Sequence, residues 1–153
     1  MSTSDNEASR MLALSREHEE ATIRAFVVKS KQERFLSFLA SPRGRAKFTN
    51  ELGHFRWFEP KYATPVSWKV DPKLGLYARH TQGIGNITSL LKAKGARSTC
   101  WAISDTKEFD MQELVLESAL ESIVGGGSGT ILSCIPGRLA FFNGEEESLL
   151  LER

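Results

Sequence analysis

The sequence predicts an α+β protein in which N-terminal helices pack on a small mixed, mainly antiparallel sheet formed by the C-terminal half. Three observations favour this class. Helix-start signals and helical periodicity are concentrated before residue 60. Short apolar runs separated by Pro-Gly and Asn-Gly turn signals fill residues 130–153. The length of 153 residues and the hydrophobic content of 41% are ordinary for one globular domain.

The start of the chain predicts a flexible segment followed by a helix. Residues 1–9 are polar, and we expect them to form a flexible N-terminus ahead of a single domain over residues 10–153. Apolar positions within residues 10–28 partly fit a helical stripe. The β-branched residues within 22–28 leave a strand as the alternative, and we prefer the helix.

Two further helices are predicted from capping signals. Ser30 and Glu33 have the spacing of a capping box, in which each side chain binds the backbone amide of the other residue. Ser41 followed by Pro42 is typical of an N-cap and a first helical position. The helix that Pro42 opens should extend to about Phe55.

The middle of the chain gives weaker signals. Residues 60–82 contain prolines and several aromatic residues, which indicates an ordered irregular segment or short edge strands rather than a disordered linker. Gly83 and Gly85 precede a predicted short helix over residues 87–93. Their spacing resembles part of a phosphate-binding loop. The third glycine and the Lys-Ser or Lys-Thr pair are missing, so we interpret these glycines as a turn.

The last third of the chain predicts the sheet. A helix over residues 111–124 should be ended by the glycine-rich residues 125–129. Asn143 and Gly144 predict a two-residue type I′ hairpin turn, because both positions of that turn need positive φ. A strand–helix–strand order implies one parallel pair with a right-handed crossover. The predicted strands cover residues 98–104, 130–135, 138–142 and 148–152.

The net charge of +1 hides a basic middle segment. Residues 21–80 carry a net charge of +8, while the segments before and after them carry −3 and −4. The lysines and arginines of residues 24–80 are interleaved with aromatic residues, a composition that suits nucleic acid or another anionic partner. The candidate anion-binding or partner-binding residues are Arg43, Arg45, Lys47 and Arg56.

An internal role competes with nucleic-acid binding for these cations. The three that follow Pro42 would lie in the opening turns of a helix, where the helix dipole does not favour positive charge. We therefore expect them to meet a protein partner or an internal acidic surface. The glutamates at positions 113, 117 and 121 would form such a surface on the predicted 111–124 helix.

Two cysteines raise a cysteine-dependent enzyme as a minority hypothesis. Cys100 and Cys134 lie on predicted strands, and a reactive thiol there would need a helix N-terminus or a nearby histidine, for which His54 and His80 are the candidates, to lower its pKa. We favour buried, reduced thiols. Glu51 and His54 have the spacing of metal ligands, but the second pair that a di-iron centre needs is missing. No metal and no cofactor is therefore predicted.

Composition also bounds the compartment and the class of function. The N-terminus lacks the pattern of a signal peptide, and no apolar run is long enough for a transmembrane helix, which predicts a cytoplasmic protein with no membrane contact. The preferred function is a non-catalytic binding or regulatory module whose protein partner the sequence does not identify. The alternatives are a nucleic-acid-binding module that uses residues 24–80 and a cysteine-dependent enzyme.

Overall fold

A computed structural model describes residues 3–66, 71–124 and 129–153. Within these ranges the helices are α1 (Thr3–Phe26), α2 (Lys29–Phe38), α3 (Pro42–Asn50), α4 (Leu76–Ala93) and α5 (Leu116–Ile123). The strands are β1 (Ala63–Pro65), β2 (Thr99–Ser104), β3 (Gln112–Val115), β4 (Thr130–Ile135), β5 (Leu139–Asn143) and β6 (Ser148–Glu152). No helix of the described ranges combines the length and apolarity needed to cross a membrane.

The six described strands form one sheet in the order β1-β6-β5-β4-β2-β3, and every neighbouring pair is antiparallel. The predicted α+β class is confirmed. The expected parallel pair does not form between described strands. β3 and β4 run in the same direction and are joined through α5, but β2 lies between them and pairs with both. The chain therefore does cross over through α5, but it joins β3 to β4 and not β2 to β4. β3 itself follows the loop after β2 and is an antiparallel edge strand of the sheet.

Helices cover both faces of the sheet. Side chains of a strand alternate between the two faces. Trp101 and Ile103 of β2 pack with α1, α2 and α3 on the first face. Cys100 and Ala102 pack with α4 and α5 on the second face. Because β2 is buried on both sides, it is apolar along most of its length, as expected for a central strand.

The N-terminal helices follow some of the predicted signals. α1 is a helix to Phe26, and Val27 makes a single bridge to Phe58. Ser41 caps α3, since its hydroxyl oxygen accepts from the amide of Gly44 at 3.1 Å. The capping box at Ser30 is wrong. α2 begins at Lys29 instead, because a bond from the amide of Val28 to the carbonyl of Trp57 fixes the chain just before it. α3 ends at Asn50 and is followed by a 3-10 turn over Leu52–His54, so the predicted extension to Phe55 is also wrong.

Two predictions in the second half are wrong because long-range packing overrides local signals. Gly83 and Gly85 lie inside α4 rather than in a turn before a helix, and Ile84 and Ile87 bury that part of α4 on the second face. Residues 112–115 form β3 rather than helix, because they pair with β2. The predicted row of glutamates is therefore broken, and Glu113 stands on a strand.

The prediction of an irregular segment or edge strands over residues 60–82 is confirmed only in its first part, where a 3-10 turn over Pro60–Tyr62 leads into the edge strand β1. Residues 67–70 lie outside the described ranges. Residues 76–82 form the start of α4, so the prediction is wrong there. The glycine-rich segment was predicted to end the preceding helix. Most of that segment, residues 125–128, lies outside the described ranges. The flexibility predicted for residues 1–9 stays a prediction, and α1 begins within them at Thr3.

The hairpin between β5 and β6 turns at a different place from the predicted one. Asn143 pairs with Ser148 across the hairpin, and the amide of Gly144 donates to the carbonyl of Glu147 at 2.9 Å. The turn therefore spans Gly144 to Glu147, and the two-residue turn is wrong. The side chain of Asn143 explains the difference, since its amide donates to the carbonyl of Ile123 at 3.1 Å and holds this residue in the strand.

Gly144→Val should lower the free energy of unfolding by about 1–3 kcal/mol, the range for overpacking. A Cβ atom at Gly144 would lie 2.8 Å from the ring of Phe142 and 3.2 Å from the carbonyl oxygen of Gly53. Urea unfolding measures the effect. Glu146→Val, at an exposed position of the same loop, is the control and should change the midpoint little. Equal midpoints for the two variants would show that the space at Gly144 is not limiting.

Candidate functional site

A cavity of about 400 Å³ lies between the middle of α1 and one end of the sheet. We call it the α1 cavity. The polar or reactive side chains that line it are His18, Arg97, Thr99, Cys100, Trp101, Glu113, Ser133 and Cys134. It has the volume of a small-molecule site, and it contains both signs of charge.

The sheet places three of these side chains in one row. Trp101 of β2 pairs with Glu113 of β3 on one side and with Ser133 of β4 on the other. Directly opposed residues of antiparallel strands have Cβ atoms about 4.5–5.5 Å apart and point to the same face. Glu113, Trp101 and Ser133 therefore form a continuous row across the first face, under α1.

The face of α1 that covers this row is polar. Ser15, Glu19 and Thr22 are buried, and His18 lies half-buried among them at helical spacing. A helix that packs on a sheet usually buries an apolar stripe. The last turn of α1 does so with Ile23 and Phe26. The two turns before it, over residues 15–22, are instead held by hydrogen bonds and by the ion pair of Glu19 with Arg45.

His18 is the site residue that sequence reasoning missed. Its Nδ1 lies 2.7 Å from the hydroxyl oxygen of Ser133, and its ring stacks on Trp101 with 5.6 Å between centroids and 9° between planes. The signal that could have found it is the helical spacing of Ser15, His18, Glu19 and Thr22, which marks a polar face on an otherwise ordinary helix.

The hydrogen bond to Ser133 selects the neutral tautomer of His18 that carries its proton on Nε2. Ser133 is 1% exposed, and among the described groups His18 Nδ1 is the partner of its hydroxyl. If Nδ1 carried the proton, the hydroxyl proton would be buried without an acceptor, which costs about 1–3 kcal/mol. Burial also lowers the pKa of His18, and this effect outweighs the negative charges of Glu17 and Glu113, which raise it. His18 Nε2–H is therefore a hydrogen-bond donor.

Trp101 supplies a second donor. The residue is 5% exposed, and its indole N–H has no hydrogen-bond partner among the described residues. A buried donor without an acceptor is rare and unfavourable, and such groups point to a strained or functional position. Trp101, which lines the α1 cavity, therefore carries a buried indole N–H whose acceptor the described chain does not supply.

Two charged side chains complete the cavity. Arg97 precedes β2 and Glu113 lies on β3, and both are exposed at the cavity. Neither makes an ion pair within the part of the chain that the structure describes. A guanidinium group and a carboxylate are thus both available to a molecule that enters.

Arg45 has an internal position. Its Nε lies 2.9 Å from Glu19, and its two terminal nitrogens lie 2.6 Å and 2.8 Å from the carboxylate oxygens of Asp110. Burial works to lower the pKa of Arg45, but Asp110 and Glu19 outweigh it and the pKa stands above its ordinary value. Burial raises the pKa of Glu19, against hydrogen bonds from Ser15 and Arg45. The acidic partners of Arg45 are therefore Glu19 and Asp110 rather than the glutamates predicted at 113, 117 and 121.

The other predicted cations are not gathered into one site. Arg43 is exposed, and the ammonium group of Lys47 lies 5.4 Å from the ring centroid of Phe38. Arg56 lines a separate cavity of about 320 Å³ beside His54. Anion binding by these residues stays a prediction.

Most aromatic residues of the basic segment are core residues. Phe35, Phe48, Phe55 and Phe58 are buried and pack ring against ring. Trp57 and Tyr62 are half-buried and lie under cations. Tyr77 is exposed, and Trp68 lies outside the described ranges. The described rings that could stack on bases are therefore few.

The structure does not bring the cysteines to the histidines considered from sequence. His54 pairs with Glu145 at 3.2 Å, and His80 is exposed on α4. Neither lines the α1 cavity. Burial raises the pKa of Cys134 to about 12 and that of Cys100 further, so both thiols are protonated at neutral pH.

The described residues include no group of three His, Cys, Asp or Glu side chains placed to hold a metal ion. Comparisons with protein-family models, with curated proteins and with solved structures found no significant match.

Proposed function

We propose that this protein is a non-catalytic cytoplasmic module that binds a small zwitterionic molecule, such as a free amino acid, in the α1 cavity. One observation carries the proposal. Trp101 lines the cavity, and its buried indole N–H has no acceptor among the described residues. A ligand oxygen that reached this N–H would supply the acceptor, and the free energy of the unmade hydrogen bond would then be recovered on binding.

The remaining polar groups define the chemistry of the ligand. His18 Nε2–H and the guanidinium of Arg97 add two donors to the indole, which together suit a carboxylate. Glu113 offers the opposite charge at the same cavity and suits an ammonium group. A molecule that carries both groups matches both charged residues, and a volume of about 400 Å³ accommodates an amino acid.

Catalysis receives little support from the same residues. Ser133 is buried in the middle of the sheet, and its hydroxyl is already bound to His18. The thiols of Cys100 and Cys134 are protonated because burial raises their pKa values. A nucleophile needs both activation and access to substrate. The arrangement therefore favours binding without reaction.

The nucleic-acid alternative is less well supported. The aromatic residues of the basic segment lie mainly in the core, and Arg45 is paired with Glu19 and Asp110. Arg43, Lys47 and Arg56 are left as exposed cations, which is common on solvated protein surfaces. We therefore prefer a small ligand over a nucleic-acid partner.

The proposal is tested by thermal unfolding in the presence of each common amino acid, followed by calorimetry for any that stabilises the protein. We expect at least one to raise the melting temperature, because a ligand that binds only the folded state stabilises it. The N-acetyl derivative should bind more weakly because it cannot pair with Glu113. The carboxamide should bind more weakly because it lacks the carboxylate.

Trp101→Phe is the matched variant, since it keeps an aromatic ring and removes the N–H. It should weaken binding by about tenfold or more, the equivalent of one hydrogen bond of about 1.4 kcal/mol. Trp57→Phe removes an indole that lies outside the cavity and should leave the affinity unchanged. If no amino acid stabilises the wild-type protein, the proposed ligand class is wrong.

A further inference from the structure

Cys100 and Cys134 lie on the neighbouring strands β2 and β4, each one residue beyond the last pair of the ladder that joins them. β2 and β4 are antiparallel, with Trp101 opposite Ser133 and Ala102 opposite Leu132. Extending this register by one residue places Cys100 opposite Cys134. Both side chains belong to the cluster on the second face, and both residues line the α1 cavity. Besides burial, the charge of the Cys134 thiolate raises the pKa of Cys100, which agrees with this proximity.

The dimensions of such a pair suit a covalent bond. Opposed residues of antiparallel strands have Cα atoms about 4.5–5.5 Å apart, within the range of about 4.4–6.8 Å that disulfides span. Cys134 also sits at a bulge, because the pairing of β4 with β5 passes from Ser133 directly to Ile135. Its backbone is therefore free of a ladder partner on β5.

We propose that Cys100 and Cys134, which are free thiols in this structure, form a cross-strand disulfide when the protein meets a low-molecular-weight disulfide such as oxidised glutathione. This modification site is part of the wall of the α1 cavity. It is independent of the proposed ligand, because it depends only on the positions of β2 and β4.

The reaction proceeds by two exchanges. Cys134 is the more exposed thiol, so its thiolate attacks one sulfur of oxidised glutathione. A mixed disulfide forms on Cys134, and one glutathione leaves as its thiol. Cys100 then loses its proton and attacks the sulfur of Cys134, which releases the second glutathione thiol. Two S–H bonds are lost, one protein S–S bond forms, and the two electrons reduce oxidised glutathione.

The exchange should be slow in the folded protein. Burial keeps both thiols protonated at neutral pH, and the thiolate is the attacking species. Equilibrium must therefore be approached from both directions, from reduced protein and from protein oxidised in denaturant and then refolded. Both samples are held in the same glutathione buffer, and free thiols are trapped at intervals.

The test compares the equilibrium constant for oxidation by glutathione in native buffer with the constant in denaturant. If the folded strands hold the thiols in position, the native constant should be larger by about tenfold or more, because the fold raises their effective concentration. Intact mass should show the loss of two hydrogens, and peptide mapping should join the segments of Cys100 and Cys134.

Cys100→Ser and Cys134→Ser are the controls, and each should give only a mixed disulfide with glutathione. A native constant equal to or below the denatured one would overturn the proposal. So would wild-type protein that ends only as the glutathione adduct or as a disulfide-linked dimer, which a non-reducing gel detects. Failure here would leave the ligand experiments unaffected, because those are carried out on reduced protein.

Discussion

Arg45→Ala should lower the free energy of unfolding by about 3–5 kcal/mol at neutral pH, the range for removing one partner of a buried ion pair. The guanidinium is 16% exposed and bridges Glu19, which is 3% exposed, and Asp110. Alanine would leave two partly or fully buried carboxylates without their cation. Urea unfolding of wild-type and variant protein measures the difference.

The loss of unfolding free energy caused by Arg45→Ala should be smaller at low pH than at neutral pH. Burial raises the pKa of Glu19 above its ordinary value of 4.5 even with Arg45 present, and removal of the cation adds to this effect. A carboxyl group with a raised folded-state pKa stabilises the protein most below its unfolded pKa, and that contribution is lost as pH rises through the folded pKa. The deficit should therefore shrink when unfolding is measured near pH 4.5 instead of pH 7.

Arg43→Ala is the control, because Arg43 lies on the same helix and is exposed. Its effect should stay within about 0.5 kcal/mol, as for most surface substitutions. A loss below about 1 kcal/mol for Arg45→Ala would contradict the view that this ion pair holds α1 and α3 against the sheet. A deficit that is the same at both pH values would show that Glu19 is not the group left unpaired.

Gly129→Ala should lower the free energy of unfolding by about 3 kcal/mol, the upper end for overpacking. A Cβ atom at this position would lie 2.2 Å from the backbone nitrogen of Gly53 and 2.5 Å from the carbonyl carbon of Leu52. These are backbone atoms, so no side-chain rotation relieves the clash. Gly129 is further fixed by two hydrogen bonds with Asp105, each of 3.0 Å.

Gly85→Ala is the matched control for this substitution. A Cβ atom there meets no atom within 4 Å, and the residue lies inside α4. Alanine should stabilise α4 by about 0.5–1 kcal/mol, because glycine is a poor helix former. The two substitutions therefore have opposite expected signs. A Gly129→Ala protein as stable as wild type would mean that the start of β4 does not pack against the 3-10 turn as described.

Local signals predicted the strands better than the helices of the second half. The strands predicted over 130–135 and 148–152 begin and end at the same residues in the structure, because turn residues on either side of an apolar run mark where a strand ends. Residues 112–115 were predicted as helix and form β3, since only pairing with β2 distinguishes the two states in so short a segment. α4 runs through two glycines because packing on the second face outweighs their poor propensity.

The α1 cavity could be predicted only in part. Cys100 and Cys134 were identified as residues of interest on strands, and their assignment to strands is confirmed. His18 was missed because its partner, Ser133, lies 115 residues away, and only the packing of α1 on β4 brings the two together. The missing hydrogen-bond acceptor of the Trp101 indole N–H likewise depends on the residues packed around it, and no local sequence pattern predicts it.

The indole N–H signal of Trp101 provides the most direct test of the proposed function. The chain contains three tryptophans, and Trp101→Phe assigns the signal in a spectrum of protein labelled with ¹⁵N-tryptophan. The probe is the amino acid that gives the largest rise in melting temperature. On its addition we expect the Trp101 signal to move downfield, as a new hydrogen bond forms, while the Trp57 signal stays in place. An amino acid that binds and leaves the Trp101 signal unmoved would contradict the proposed site.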